Sequence, residues 1–174
     1  MIYDLTPPPD FKCPEIGLLA AALVDGTREV RQELGEVTPE ELAFTPMPRR
    51  YNAAAVLLHH AAVEEGWIRF DLCGEPDDSE ATFPHFTDEI WTKGEWPDLG
   101  GITLEEIYRR SDEIRQQTLA RLATIEDARQ MTVGATESAG DTARWVVNHL
   151  IGHESYHFGQ AVLLVEMARA RSQS

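Results

Sequence analysis

Five of the six histidines in this 174-residue chain fall in two stretches of helical periodicity. His59 and His60 lie in one, and His149, His153 and His157 in the other, while His85 stands alone. Positions 149, 153 and 157 form an i, i+4, i+8 series. In a helix a step of four turns the side chain by about 40° and advances it by about 6 Å, so the three imidazoles share one face. Two of them one turn apart, as in His153-Glu-Ser-Tyr-His157, can reach one divalent ion at about 2.0–2.1 Å each. The reach fails a turn further on, so a third ligand has to come from another helix. Several ring nitrogens on a packed face would otherwise need partners, and a shared ion satisfies them together.

The other histidine-bearing stretch offers that third ligand. His59 lies in line with Ala55, Ala62, Val63 and Gly66, whose small side chains leave room for an ion, whereas His60 is rotated by about 100°. His59 is therefore the expected ligand. Glu64 is a candidate for orienting an imidazole, and Glu65 is expected to be solvated. The segment from His153 to His157 also fits the HExxH pattern of zinc proteases, in which the Glu is the general base. Its surroundings do not: Gln160 and Leu163 stand where a metzincin continues with Gly and His, and no edge strand is evident to bind a peptide. Glu154, about 100° from the histidine face, is expected in solvent or at a dimer contact. His149 has several readings: a group that orients a ligand, a substrate contact, a fourth ligand, or a buried imidazole bonded to a backbone carbonyl.

The elements that must position these residues are helices. Pro14 suits a first helical position, Ile16, Leu19, Ala20, Leu23, Val30 and Leu34 recur at helical spacing with Thr27 in step, and Gly35 is a stop. Thr38 with Glu41 predicts a capping box on a short helix, and Thr103 with Glu106 another, ahead of Leu104, Ile107, Ser111, Ile114, Thr118, Leu122 and Ile125. The His59 helix is expected from about 52 to 72, and the last from Asp141 or Thr142 to about Arg169. Residues 1–12 read as an extended leader, because Pro7, Pro8 and Pro9 hold the chain out of the helical region. Residues 74–101 form a long connection whose aromatics Phe83, Phe86, Trp91 and Trp96 are expected to pack on the body. Four long amphipathic helices without an alternating strand predict an all-α, four-helix bundle in a single domain, 1–174.

Bulk properties bound the function. Thirty acidic against fifteen basic residues give a formal charge of -15, which repels phosphate backbones and anionic lipid, so neither nucleic acid nor membrane is an expected partner. Cys13 and Cys73 are too far apart in sequence for a metal-binding or redox motif, and no disulfide framework is indicated. With no apolar run of membrane length and no signal-peptide pattern, the expected compartment is the cytoplasm.

With these residues in hand, the chain resembles the DinB / YfiT-like superfamily of metal-dependent enzymes. The resemblance rests on Leu57-Leu58-His59-His60-Ala61-Ala62-Val63-Glu64-Glu65-Gly66-Trp67 and on the closing helix from Arg144 to Gln160, which carries the HExxHxGQ-like His153-Glu-Ser-Tyr-His157-Phe-Gly-Gln160. It implies an up-down-down-up bundle with a long crossover, often a homodimer, and a metal triad on His59, His153 and His157 holding nickel, zinc or another divalent ion. It also implies, for some members, transfer or isomerisation chemistry on small molecules with a low-molecular-weight thiol. Three neutral imidazoles leave an ion its full charge and open positions, the catalytic pattern, suited to lowering the pKa of water or a thiol. The expected function is thus a metal-dependent thiol transferase or hydrolase, with a non-catalytic metal-binding stress-response or sensor protein as the alternative. His149, Glu64, Tyr156 and Gln160 are the candidates for steadying the ligands or touching substrate.

Overall fold

The structure, a computed structural model, describes residues 4–47, 51–76, 94, 96–97, 99–133 and 140–173. Their elements are helical: α1 (Pro14–Leu34), α2 (Pro39–Ala43), α3 (Ala53–Glu65) running on into a π-helical segment (Gly66–Leu72), α4 (Leu104–Leu122) and α5 (Ala143–Ser172). Among the described residues the extended pairing amounts to one isolated antiparallel bridge, Met131 to Thr142, at the entrance to α5. The all-α expectation therefore holds.

The helix ends follow from local chemistry. Pro14 begins α1 and Gly35, at φ 63°, ends it with its N–H bonded to the carbonyl of Arg31. Thr38 and Glu41 form the reciprocal capping box of α2. Asn52 caps α3, accepting from the N–H of Ala55 at 2.8 Å. Thr103 caps α4 through the N–H of Glu106, but the Glu106 carboxylate turns away to Arg109 and Arg110, so half of the predicted box forms. Thr142 caps α5, which runs to Ser172, beyond the expected Arg169. The helix expected over 52–72 is continuous but changes its bonding after Glu65: the Cys73 N–H reaches the carbonyl of Ile68, five residues back. Ile68 and Leu72 are both buried in that wider winding.

Helix α5 packs against both α1 and α3, and α3 also against α4. The leader lies on this body: a Cβ on Gly17 would meet Phe11 Cβ at 3.1 Å and Pro7 Cβ at 3.3 Å, so the missing side chain is what lets it pass so close. Of the connection after Gly74, Trp96 packs against the core, while Phe83, Phe86 and Trp91 lie outside the described residues. No helix among the described residues is long and apolar enough to cross a membrane.

The apolar core is in two parts. One gathers Leu42, Leu57, Leu58, Ala61, Ile107, Ile114, Phe158, Ala161 and Val165. The other gathers Ile16, Leu23, Ile68, Leu72, Leu122, Val146, Val147 and Leu150. Along every long helix the two parts are separated by polar side chains: Thr27 on α1, Glu64 and Glu65 on α3, Arg115 and Thr118 on α4, and His153, Glu154 and His157 on α5. His153 and His157 of the candidate site sit in this belt, and His59 lies beside it among residues of the first part of the core.

Candidate metal centre

Helix α3 supplies His59 and α5 supplies His153 and His157, and each offers a ligand nitrogen within 4.8 Å of the others. The geometric choice of His59 thus falls on a residue that the fold brings to the α5 pair. Nε2 of His153 and Nε2 of His157 stand 3.1 Å apart. Tetrahedral bonds of about 2.1 Å place two ligand nitrogens about 3.4 Å apart, so the spacing present is close to what one ion requires. Nδ1 of His157 faces Gln160 Oε1 at 2.8 Å, which places the proton on Nδ1 and leaves the Nε2 lone pair directed at the cluster. Nδ1 of His153 is buried without a hydrogen-bond partner. With the two Nε2 atoms close together and a ring nitrogen of His59 within 4.8 Å of the pair, the donor set by this measure fits a divalent ion.

Burial reinforces that chemistry. It pushes the imidazole pKa of His59 down to about 3, with the nearby His157 and His60 adding to the effect. The same cause, with His157, His60, His59 and His149 around it, takes His153 down to about 3. Burial also lowers His157, against the opposing bond to Gln160. The rings are neutral at physiological pH, the state in which imidazole binds metal.

Aromatic rings surround the cluster. Trp96 meets His59 edge-on with centroids 5.1 Å apart, covering one side. On the α5 side His149 stacks on Trp145 at 5.0 Å and 9°, receives the edge of Trp67, and lies 5.7 Å from His153. It stands outside the triad, as one ring in an aromatic row. Tyr156 is 64% exposed and sets its ring edge-on to His157. Ser111, by contrast, bonds the carbonyl of Ile107, and Thr118 lines a minute cavity with Glu65, Ile68 and Arg121.

Beside the imidazoles lies a second cluster that sequence reasoning missed. Arg115 of α4 grips Glu64 of α3 through two bonds of 2.8 Å, from Nε and Nη2. Its Nη1 donates to Thr27 Oγ1 at 2.6 Å, and Thr27 donates to Glu154 Oε1 at 2.7 Å. Nη2 lies 3.4 Å from Glu154 as well. His60 Nε2 is 3.5 Å from Glu154 and 3.6 Å from Glu64. Burial tends to raise the Glu154 pKa, but His60, Arg115 and Thr27 outweigh it and hold the carboxyl below its ordinary value.

Two expectations are corrected here, for Glu154 and Glu65, and His60 finds its place. Glu154 is 3% exposed, because a rotation of 100° from His153 aims it at α1 and α4 rather than at solvent. Glu65, expected in water, is buried and paired with Arg69 at 3.1 Å. His60, rotated from His59, is equally buried, since the packed part of α3 has no solvent face. Glu64 takes part in the Arg115 cluster and meets His60. The available signal was Thr27, a hydroxyl on the apolar stripe of α1.

An all-α body in which three imidazoles from two helices converge is one that could hold a metal ion. Residues 18–170 match the family described as mycothiol-S-transferase, and the chain belongs to that DinB/YfiT-like family. It is similar to the uncharacterized protein YkkA of Bacillus subtilis (strain 168), 24% identical over 147 residues that make up 83% of this chain and 82% of YkkA.

Proposed function

We propose that the protein binds one divalent ion, zinc or nickel, on His59, His153 and His157 and catalyses transfer of a low-molecular-weight thiol of the mycothiol class to a small electrophile. The observation that carries this reading is the convergence of three ring nitrogens within 4.8 Å in a chain of the mycothiol-S-transferase family. An ion with three neutral ligands supplies a Lewis acid that lowers the pKa of a thiol toward neutrality. The chain's own residues do the rest. Gln160 fixes the tautomer and ring orientation of His157. Trp96 shields His59 from water on one side. Trp145, His149 and Tyr156, along the more open side of α5, would contact the electrophile. Glu154 is engaged by Thr27 and Arg115, which argues against a protease-like base at that position.

The same proposal takes the four long helices as the up-down-down-up bundle implied by the family resemblance, in a homodimer within a reducing cytoplasm. Elemental analysis of untagged protein, followed by a thiol-conjugation assay on the same sample, tests the function. About one metal per chain and metal-dependent conjugation are expected; less than about 0.1 per chain with no uptake on titration removes the metal reading. Bound metal without conjugation would select the sensor alternative, which the partly open edge at His153 and Tyr156 disfavours.

A further inference from the structure

We propose that Arg115, which supplies no ligand, is a positioning residue for the metal centre, and that its fork sets the distance between the two halves of the donor set. This inference rests on the metal reading above. The donors come from two helices, His59 from α3 and His153 with His157 from α5, and no covalent link fixes the separation of the two. Apolar packing joins the two helices on either side of the level of Glu64 and Glu154. On α3 the apolar clusters include Ala61 on one side and Ile68 on the other, and on α5 Phe158 and Leu150. Between them the contacts are polar, and Arg115 is at their centre. It holds Glu64 of α3 by two parallel bonds of 2.8 Å. It also holds Glu154 of α5, directly at 3.4 Å and through the Thr27 hydroxyl at 2.6 and 2.7 Å.

Glu154 is the immediate neighbour of His153, and Glu64 lies five residues beyond His59 on the same helix. Each helix is internally rigid, so fixing these carboxylates against one planar group fixes the imidazoles beside them. A buried ion cluster is a weak source of net stability, because desolvation offsets most of its attraction. What it supplies is a single geometry: the guanidinium fork accepts carboxylates in one plane and at fixed angles, which an ammonium does not reproduce. The consequence belongs to the site, since a loss of ligand orientation typically lowers metal affinity by about 10–100-fold.

The test compares wild-type protein with Arg115→Lys, which keeps the charge and loses the fork, and Thr27→Val, which removes only the hydroxyl joining Arg115 to Glu154. Zinc affinity is measured by competition with a chromophoric chelator, the d–d spectrum of the cobalt-substituted protein is recorded, and far-UV dichroism with a denaturant midpoint follows the fold. Arg115→Lys with native helicity should raise the zinc Kd by about 10–100-fold and alter the cobalt spectrum, with a smaller rise in Thr27→Val. Zinc Kd values within about twofold of wild type and superimposable cobalt spectra overturn the proposal, even where the denaturant midpoint has fallen, because that is the mark of a merely structural role. If Arg115→Lys does not fold, Thr27→Val decides by the same criteria. Failure of the wild-type protein itself to bind zinc or cobalt removes the metal reading and this inference together. Tight binding unaffected by either variant removes this inference alone.

Discussion

Two polar clusters lie at and beside the belt between the two apolar cores; they share α3 and α5, and they differ in chemistry. Neighbouring residues are sorted between them: His59 goes to one and His60 to the other, His153 to one and Glu154 to the other. In the Arg115 cluster Glu64 meets the guanidinium, and Glu154 meets both the guanidinium and the Thr27 hydroxyl, while the two ring nitrogens of the adjoining His60 are buried without a hydrogen-bond partner. In the imidazole cluster like groups face each other, with two Nε2 atoms 3.1 Å apart and a buried Nδ1 unpartnered. The first is held together by bonds within the chain; the second is a group of three imidazoles that could hold a metal ion.

Substitutions should separate the two clusters most sharply in metal content. His153→Ala or His59→Ala should abolish stoichiometric metal, read by elemental analysis, with helicity preserved; Glu154→Gln should still fill at saturating metal. Arg115→Met should reverse the pattern, leaving Glu64 and Glu154 without their cation and destabilising the fold by about 3–5 kcal/mol in denaturant titration. A loss below about 1 kcal/mol would mean that water, rather than Arg115, compensates the carboxylates. Gln160→Ala removes the acceptor at His157 Nδ1 and should weaken metal binding by about 10–100-fold while stability changes little.

A fourth prediction concerns pH. His59 and His153 are held at about 3 in the folded protein, against 6.5 for an ordinary imidazole. Between these values the unfolded chain binds more protons than the folded one, so the stability of the metal-free protein rises with pH. It should be fully present above about pH 6.5 and decline on acidification toward about 3, with metal released over the same range. Urea midpoints from about pH 4.5 to 7 measure the slope, which should flatten in His59→Ala and persist in Thr27→Val. The smallest effect is expected at Tyr156. Tyr156→Ala should leave stability within about 0.5 kcal/mol and metal affinity unchanged, and raise KM for the electrophile in a conjugation assay.

The helix ends were legible in the sequence because caps are local: Thr38, Thr103, Thr142 and Gly35 act on backbone groups within a turn of themselves. His59, His153 and His157 were legible because helical spacing and a run of small residues carry across only two elements. The Arg115 cluster was not, since it joins residues from four helices, and no spacing along the chain records which helices lie side by side. The misplacement of Glu154 has a related origin. A rotation of about 100° off a buried face means solvent only for a helix with one packed side, and α5 packs against both α1 and α3.

The π-helical segment after Glu65 has a consequence for how the chain tolerates change. Its wider winding shifts the angular phase of everything downstream relative to His59 and Glu64, so that Trp67 reaches the Trp145–His149 stack while Ile68 and Leu72 enter the second core. The segment works as a splice between two reading registers of one rod, the first keyed to the histidine cluster and the second to the far core. Removing a single residue there would let ordinary α-helical bonding resume and would rotate one register against the other, although no ligand had been touched.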